Sequence, residues 1–328
     1  MVPKAELHVH LEGTAPPGLV RRIAERNGLR VPDGVFASPD RFAWRDFLDF
    51  LQTYDMAASV IRTPEDYRDV TYEYLAACAA EGAVYVELIA SPDHAALVGL
   101  SDEDHIAGIA AGIDDARADH GIEARILLTC IRNLGVEQAL RIATYAAGRP
   151  HPYVVGFQMA GDEAGYPPGP FAEAYAVAAA AGLGCSVHAG EWAGADSVRA
   201  ALDLPVTRIA HGVRAIEDPA LVAELADRGV VLECCPTSNV VLGVFASFET
   251  HPLPALRDAG VRVTLASDDP PYFGASVGGE YAVARERFGW SDAELVALTR
   301  TAIEASFAEE PLRAALLRRL GDADGSPP

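Results

Sequence analysis

Lys4-Ala5-Glu6-Leu7-His8-Val9-His10-Leu11-Glu12-Gly13 stands almost at the start of the chain. Residues two apart on a β-strand point to the same face. If residues 5–10 form a strand, His8 and His10 project side by side, about 7 Å apart. Two nitrogen donors on one rigid strand make half of a zinc site. Two histidines also occur near a terminus without any role, so the meaning of this pair depends on the rest of the chain.

Beyond the pair, the chain alternates. Short β-prone runs occupy residues 83–90, 124–131, 153–159, 183–188, 206–210, 230–234 and 261–266. Ala/Leu/Glu-rich helical stretches such as 102–119, 136–147, 170–181, 218–228 and 252–259 fill the gaps. Counted with residues 5–10, these runs are enough strands in βα order to predict a parallel sheet closed as a (β/α)8 TIM-type barrel. The first interval is much longer than the rest and predicts extra helices over 16–27, 44–61 and from 63 to about 81. Thr63 is placed to cap the last of them, with Pro64 at its first position. Residues 276–320 read as C-terminal helices and 321–328 as a tail. The expectation is a single domain over 1–328, with a barrel over 1–275 that carries a helical insertion at about 16–82.

Composition narrows the function. Half of the 328 residues are hydrophobic, enough for a large core. A net charge of −21, from 26 basic and 47 acidic side chains, repels phosphate backbones and anionic lipid, so neither nucleic acid nor a membrane is an expected partner. Lys4 is the only lysine. That removes a carboxylated lysine bridging two metals and a Schiff-base lysine deep in the barrel. The five cysteines are odd in number and scattered, which suits a reducing compartment. No charged leader with an apolar stretch precedes His8, and no apolar run reaches the ~18 residues of a membrane span. The expected location is the cytoplasm. Oligomeric state leaves no signature in the sequence.

Barrel enzymes carry their chemistry at the C-terminal ends of the strands. The polar residues that are odd for a core sit there: His8-Val9-His10, Ala160-Gly161-Asp162-Glu163, His188-Ala189-Gly190-Glu191, Ala210-His211-Gly212 and Ser267-Asp268-Asp269-Pro270. Any one alone would read as scaffolding or a helix cap. Together, at one end of one barrel, they point to a single site.

The motifs PKAELHVHLEG, MAGDE, HAGE, RIAHG, ECCPTSN and SDDP, in this order along nearly the whole chain, resemble the adenosine deaminase family of the amidohydrolase barrels. The resemblance implies one zinc ion per chain on His8, His10, His188 and Asp268, with water completing the shell. It implies Glu191 as proton donor to a purine and His211 beside the attacking water. It also puts Asp269 and Gly161 on the ring nitrogens, and His10 and Glu12 on the substrate side.

The chemistry agrees with these roles. Deaminating an aromatic amidine needs hydroxide at neutral pH, and zinc lowers the pKa of its water to ~7. Attack at C6 pushes electrons toward N1, so a protonated carboxyl must deliver a proton there. Glu191 lies three residues beyond His188; burial would raise its pKa. Asp268 can take the proton of the attacking water and pass it to departing ammonia, while His211 orients the oxygen.

The expected reaction is hydrolysis of a 6-aminopurine, adenosine or a related nucleoside, to the 6-oxopurine and ammonia. Features within the resemblance divide over the substrate. Adenosine deaminases of the family usually carry Asp at the position of Glu12. Glu12-Gly13-Thr14 and Ser267-Asp268-Asp269-Pro270 look more like the adenine deaminase branch, whereas Ala160-Gly161-Asp162-Glu163 is nucleoside-type. Adenine, an N6-substituted adenine and a 5′-modified nucleoside such as 6-aminodeoxyfutalosine or methylthioadenosine stay open. A rival of another class is a catalytically silent zinc-binding protein, against which Glu191 and His211 argue, since neither is needed to hold metal. Cys234 and Cys235 read as buried strand residues. Ser238 and Asn239 read as ties within the loop after the seventh strand. His94, His105, His120, His151 and His251 are expected to face solvent, and Phe47 and Phe50 to form either a lid or part of the core.

Overall fold

The computed structural model describes residues 2–324. Eight parallel strands succeed one another around a sheet in chain order. They are β1 (Lys4–His10), β2 (Ala83–Ala90), β3 (Glu123–Ile131), β4 (Val154–Ala160), β5 (Gly184–Ala189), β6 (Arg208–His211), β7 (Val231–Cys234) and β8 (Arg262–Leu265). Every residue of β2 is buried, as a parallel strand covered on both faces requires. The ring is stitched shut where the histidine pair sits. Val9 bridges Asp268, the His10 N–H donates to the Asp268 carbonyl at 3.0 Å, and the Asp268 N–H donates to the His8 carbonyl at 3.3 Å. Each strand begins or ends within three residues of its expected limits.

Between β1 and β2 lie helices Pro17–Arg26, Phe47–Ala58 and Pro64–Ala80. Thr63 and Asp66 form a reciprocal capping box, the arrangement that satisfies two orphan amides at a helix start. The second helix is shorter than its apolar pattern because Asp46 caps it, accepting from the Asp49 N–H. A small hairpin, Phe36–Ser38 with Arg41–Phe42, was not foreseen; strands of two or three residues carry no readable periodicity. Helices Val277–Arg287, Asp292–Ala305 and Glu310–Asp324 complete the chain. The last one runs through Gly321 to Asp324, so the expected tail over 321–328 is corrected by four residues. One glycine near a helix end costs only about 1 kcal/mol. The rest of that tail, 325–328, lies outside the described residues.

The barrel interior below the site is ionic where such cores are usually branched and apolar. The fully buried Arg208 guanidinium lies 2.6 Å from Glu87 and 2.6 Å from Glu233, and its carbon sits 3.6 Å from the Phe307 ring centroid. Phe307 packs against Gly184, where any Cβ would strike its ring. The C-terminal segment thus plugs the lower end, and access is left to the upper one. Lys4, whose Nζ donates to the Glu81 carbonyl at 2.6 Å, belongs to the lower end, away from the histidines. Among the described residues no helix is long and apolar enough to cross a membrane.

Candidate active site

His8, His10, His188 and Asp268 converge at the top of the barrel. His10 Nε2 lies 3.2 Å from His188 Nε2. Asp268 Oδ1 lies 3.3 Å from His8 Nε2 and 3.5 Å from His10 Nε2. A tetrahedron with zinc–nitrogen bonds of ~2.1 Å has edges of ~3.4 Å, so these spacings fit one small divalent ion. His8 Nε2 is buried and makes no hydrogen bond of proper geometry, as a nitrogen reserved for a metal would be. These four residues form a group that could hold a metal ion.

The surroundings set each donor's state. Burial, then the neighbouring imidazoles, push His188 well below the usual histidine range, and burial takes His10 down to about 4. Both are neutral, the form that binds metal. His188 Nδ1 is turned toward the Met159 carbonyl, 3.1 Å away, and the Gln158 amide, which leaves Nε2 on the side of the other donors. Burial works to raise Asp268, but the His8, His211 and His10 imidazoles hold its carboxyl well below the ordinary range. Ser238 donates to Asp268 Oδ2 at 2.6 Å, which leaves Oδ1 toward the histidines. Ser238 therefore serves the site, a correction to its expected place as a tie within the loop after β7. Cys234 and Cys235 are buried, Cys235 lying just past the last residue of β7.

Two site residues occupy left-handed backbone: His211 at φ 61° and Asp268 at φ 65°. Such conformations cost of order 1–3 kcal/mol for a side-chain-bearing residue and cluster at functional sites. Here each lies just at or beyond the end of its strand, where the chain turns out of the sheet.

A cavity of about 260 Å³ opens beside the donors, with His10, His188 and Asp268 in its wall and His8 buried behind them. His10, Glu12, Gly161, Glu191, His211 and Asp269 all line it, so every residue expected at the substrate reaches one space. His211 Nε2 stands 3.7 Å from the Glu191 carboxyl and 3.9 Å from Asp268 Oδ2. Burial, then the charges of Asp268 and Glu163, raise Glu191 well above the carboxylate range. Burial, then Asp268, Glu191 and Glu12, do the same for Asp269. Both are thereby favoured as protonated donors. Asp269 Oδ1 is buried without a partner. It presses on Gly13, where a Cβ would come within 1.8 Å of it; only glycine leaves that carboxyl its place. Gly161 has φ 106° and a Cβ there would meet Asn133 Oδ1 at 2.4 Å, so its bare backbone faces the cavity.

Glu12 is the exception among these carboxyls. Burial would raise it, but the His105 contact and the Ser91 amide bring it below its ordinary value. Its Oε1 accepts from the Ser91 N–H at 3.0 Å, with the Tyr67 hydroxyl at 3.4 Å and His105 Nε2 at 3.6 Å. Overhead, Phe47 packs on Trp192 with ring centroids 4.8 Å apart, and Phe47 and Phe50 both line the cavity. They are roof as much as core.

Three features escaped the sequence. Glu163 accepts from the backbone N–H groups of Glu191 (3.1 Å), Trp192 (2.8 Å) and Ala193 (3.1 Å), from the Gly190 N–H and from the Ser197 hydroxyl. One buried carboxylate therefore pins the loop that carries Glu191. Glu163→Gln, which turns an amide NH2 on this row of donors, is expected to destabilise the fold by about 2–3 kcal/mol and to lower kcat more than it raises KM; urea unfolding and steady-state kinetics check both. Second, His94, His105 and His251 do not face solvent: His105 and His251 are buried, and His94 Nε2 lies 3.0 Å from Asp55. Third, Asn239 is fully buried against His211 and His251. Polar residues on helices and loops give no sequence signal for burial when their partners are distant in the chain.

Residues 3–323 match the family model for adenosine deaminase. The chain belongs to the adenosine deaminase family. Among curated members, it is 51% identical over 321 residues to an adenine deaminase of Chelativorans sp. (strain BNC1), covering 98% of both chains. Among solved members, it superposes on the adenine deaminase of Arthrobacter aurescens with a TM-score of 0.92, at 32% identity and over 99% and 100% of the two chains. It also resembles an amidohydrolase of Burkholderia ambifaria with bound zinc, at a TM-score of 0.88 and 26% identity over 98% and 90% of the chains. Deaminases of the family are hydrolases, and this member has the means to hold a metal at the His8, His10, His188 and Asp268 group, which shares His8 and Asp268 with an overlapping set that includes His211 and Cys235.

Proposed function

We propose that this member of the family is a zinc-dependent aminohydrolase that converts free adenine to hypoxanthine and ammonia. The observation that carries the reading is the pairing of two buried carboxyls favoured as protonated, Glu191 and Asp269, with a four-donor metal group, three of whose members line the same cavity. Three imidazoles and a carboxylate suit zinc. The ion, when bound, makes water nucleophilic at neutral pH.

The other steps belong to the chain. Glu191 delivers its proton to N1 as C6 is attacked, because the ring electrons displaced from C6 need a proton there. Asp268 takes a proton from the attacking water and passes it to the amino group, which leaves as ammonia, while the proton remaining on the C6 oxygen returns to Glu191 as the 6-oxo group forms. Asp269 donates to N7, and the Gly161 N–H faces N3, where no side chain obstructs it. The choice of free base over nucleoside is supported by Glu12 and by the adenine deaminase relatives at about half identity. The His105 contact and the Ser91 amide favour the ionised form of Glu12, and an ionised carboxylate accepts only. A free base offers a ring N–H to such an acceptor; a nucleoside carries its sugar on that nitrogen.

The test is an absorbance screen of zinc-loaded protein with adenine, adenosine, 2′-deoxyadenosine, methylthioadenosine, 6-aminodeoxyfutalosine and N6-methyladenine. Adenine is expected to give a kcat/KM at least ~10²-fold above adenosine, the discrimination a misplaced polar group imposes. Preference for a nucleoside would move the reading to the other branch, and no turnover of any compound would remove it.

A further inference from the structure

A chain of hydrogen bonds runs from a backbone amide to His211. The Leu253 N–H lies 3.2 Å from Nδ1 of His251. A backbone amide can only donate, so Nδ1 of His251 presents its lone pair and the ring proton is on Nε2. The ring is neutral near pH 7, since burial brings its pKa down to about 4. His251 Nε2 lies 3.1 Å from Asn239 Oδ1, which must accept. That orients the amide, whose Nδ2 then donates to Nδ1 of His211 across 3.2 Å. Histidine tautomers and amide orientations are ordinarily ambiguous; here the Leu253 amide decides all three in sequence. The single proton of neutral His211 is left on Nε2, the nitrogen that faces Glu191 and Asp268.

We propose that Asn239 and His251 are positioning residues that lock His211 in its Nε2–H tautomer, so that His211 meets the attacking oxygen as a hydrogen-bond donor and not as a base. The catalytic consequence rests on the deaminase reading above; the tautomer does not. With Nε2 already protonated, His211 has no lone pair to offer the attacking water, and the proton released by that water goes to Asp268. A scaffold could hold the ring with any three groups of the right size. The polarity of these three, all buried, is what sets the direction of donation.

The test uses zinc-loaded protein labelled with 15N-histidine. Two-bond 1H–15N correlations distinguish a protonated from an unprotonated ring nitrogen, and a His211→Asn spectrum assigns the signal. The wild-type His211 is expected to be protonated at Nε2 and bare at Nδ1. Asn239→Asp has the same shape but accepts from both rings. It is expected to move the His211 proton to Nδ1 and to lower kcat by about ten- to a hundredfold, with KM and zinc content near wild type. His251→Gln, which keeps a donor, should retain most of the rate that His251→Ala loses. A wild-type His211 carrying its proton on Nδ1 overturns the proposal, whether or not any variant folds. So does an Asn239→Asp enzyme whose tautomer reverses while kcat stays unchanged. Failure of the purine screen would sink the deaminase reading and leave the tautomer measurement valid.

Discussion

Asp268→Ala should lose both its metal and its activity. Asp268 is the one anionic donor of the group, and its Oδ1 is within 3.5 Å of two of the three histidines. It is also the proposed acceptor of the water's proton, and acid–base groups of this kind contribute roughly 10²–10⁴-fold. The loss of rate should therefore be at least ~10³-fold, together with zinc content falling well below one per chain by elemental analysis. The backbone bonds by which residue 268 closes the barrel survive the change. Alanine is strained at φ 65° by roughly 1–2 kcal/mol, so Asp268→Asn, which tolerates that conformation, serves as the partner variant and should also be metal-poor. A variant that binds one zinc per chain with normal strength would contradict this placement of the ligand.

Glu191→Gln should behave oppositely toward metal. It should keep zinc, because Glu191 is absent from the four-donor group, and lose about 10²-fold or more in kcat, because an amide has no proton to deliver. The pH dependence comes from the direction of its shift. The acid works while protonated, and burial with the Asp268 and Glu163 charges raises its pKa. Activity should persist above the ordinary carboxyl range and fall as pH rises through the raised pKa. The glutamine variant has nothing to titrate there, so its residual rate should lack that alkaline limb. Full activity in Glu191→Gln would remove the role.

The reach of the sequence differs from residue to residue. His8 and His10 were legible because a strand's period of two puts alternate side chains on one face, and β1 is a strand over both. His188, His211 and Asp268 were legible because βα alternation places strand ends together whatever their separation in the chain. Glu163 was visible as a motif residue, but its task was not. Five donors reach it from residues 190–197, an arrangement that depends on how two neighbouring loops fold over one another. His251 was misread as a surface residue for the same cause. Its helix-and-loop setting is polar in sequence, and its burial comes from Asn239 and from rings such as Phe245, 5.2 Å away.

The order and type of residues were sufficient for the barrel, the end of it that gathers the polar residues, the four convergent donors and the carboxyl beside them. The barrel and the end that gathers the polar residues come from local periodicity and the geometry of one closed parallel sheet; the choice of the four donors and of Glu191 among those residues comes from the family resemblance of the motifs. Only the tertiary structure shows which carboxyls are driven toward the protonated form and which away from it, which groups meet each nitrogen of His211, and what grips the Glu191 loop. Those properties are set by burial and by the partner at 3 Å, and such partners come from segments that are remote along the chain.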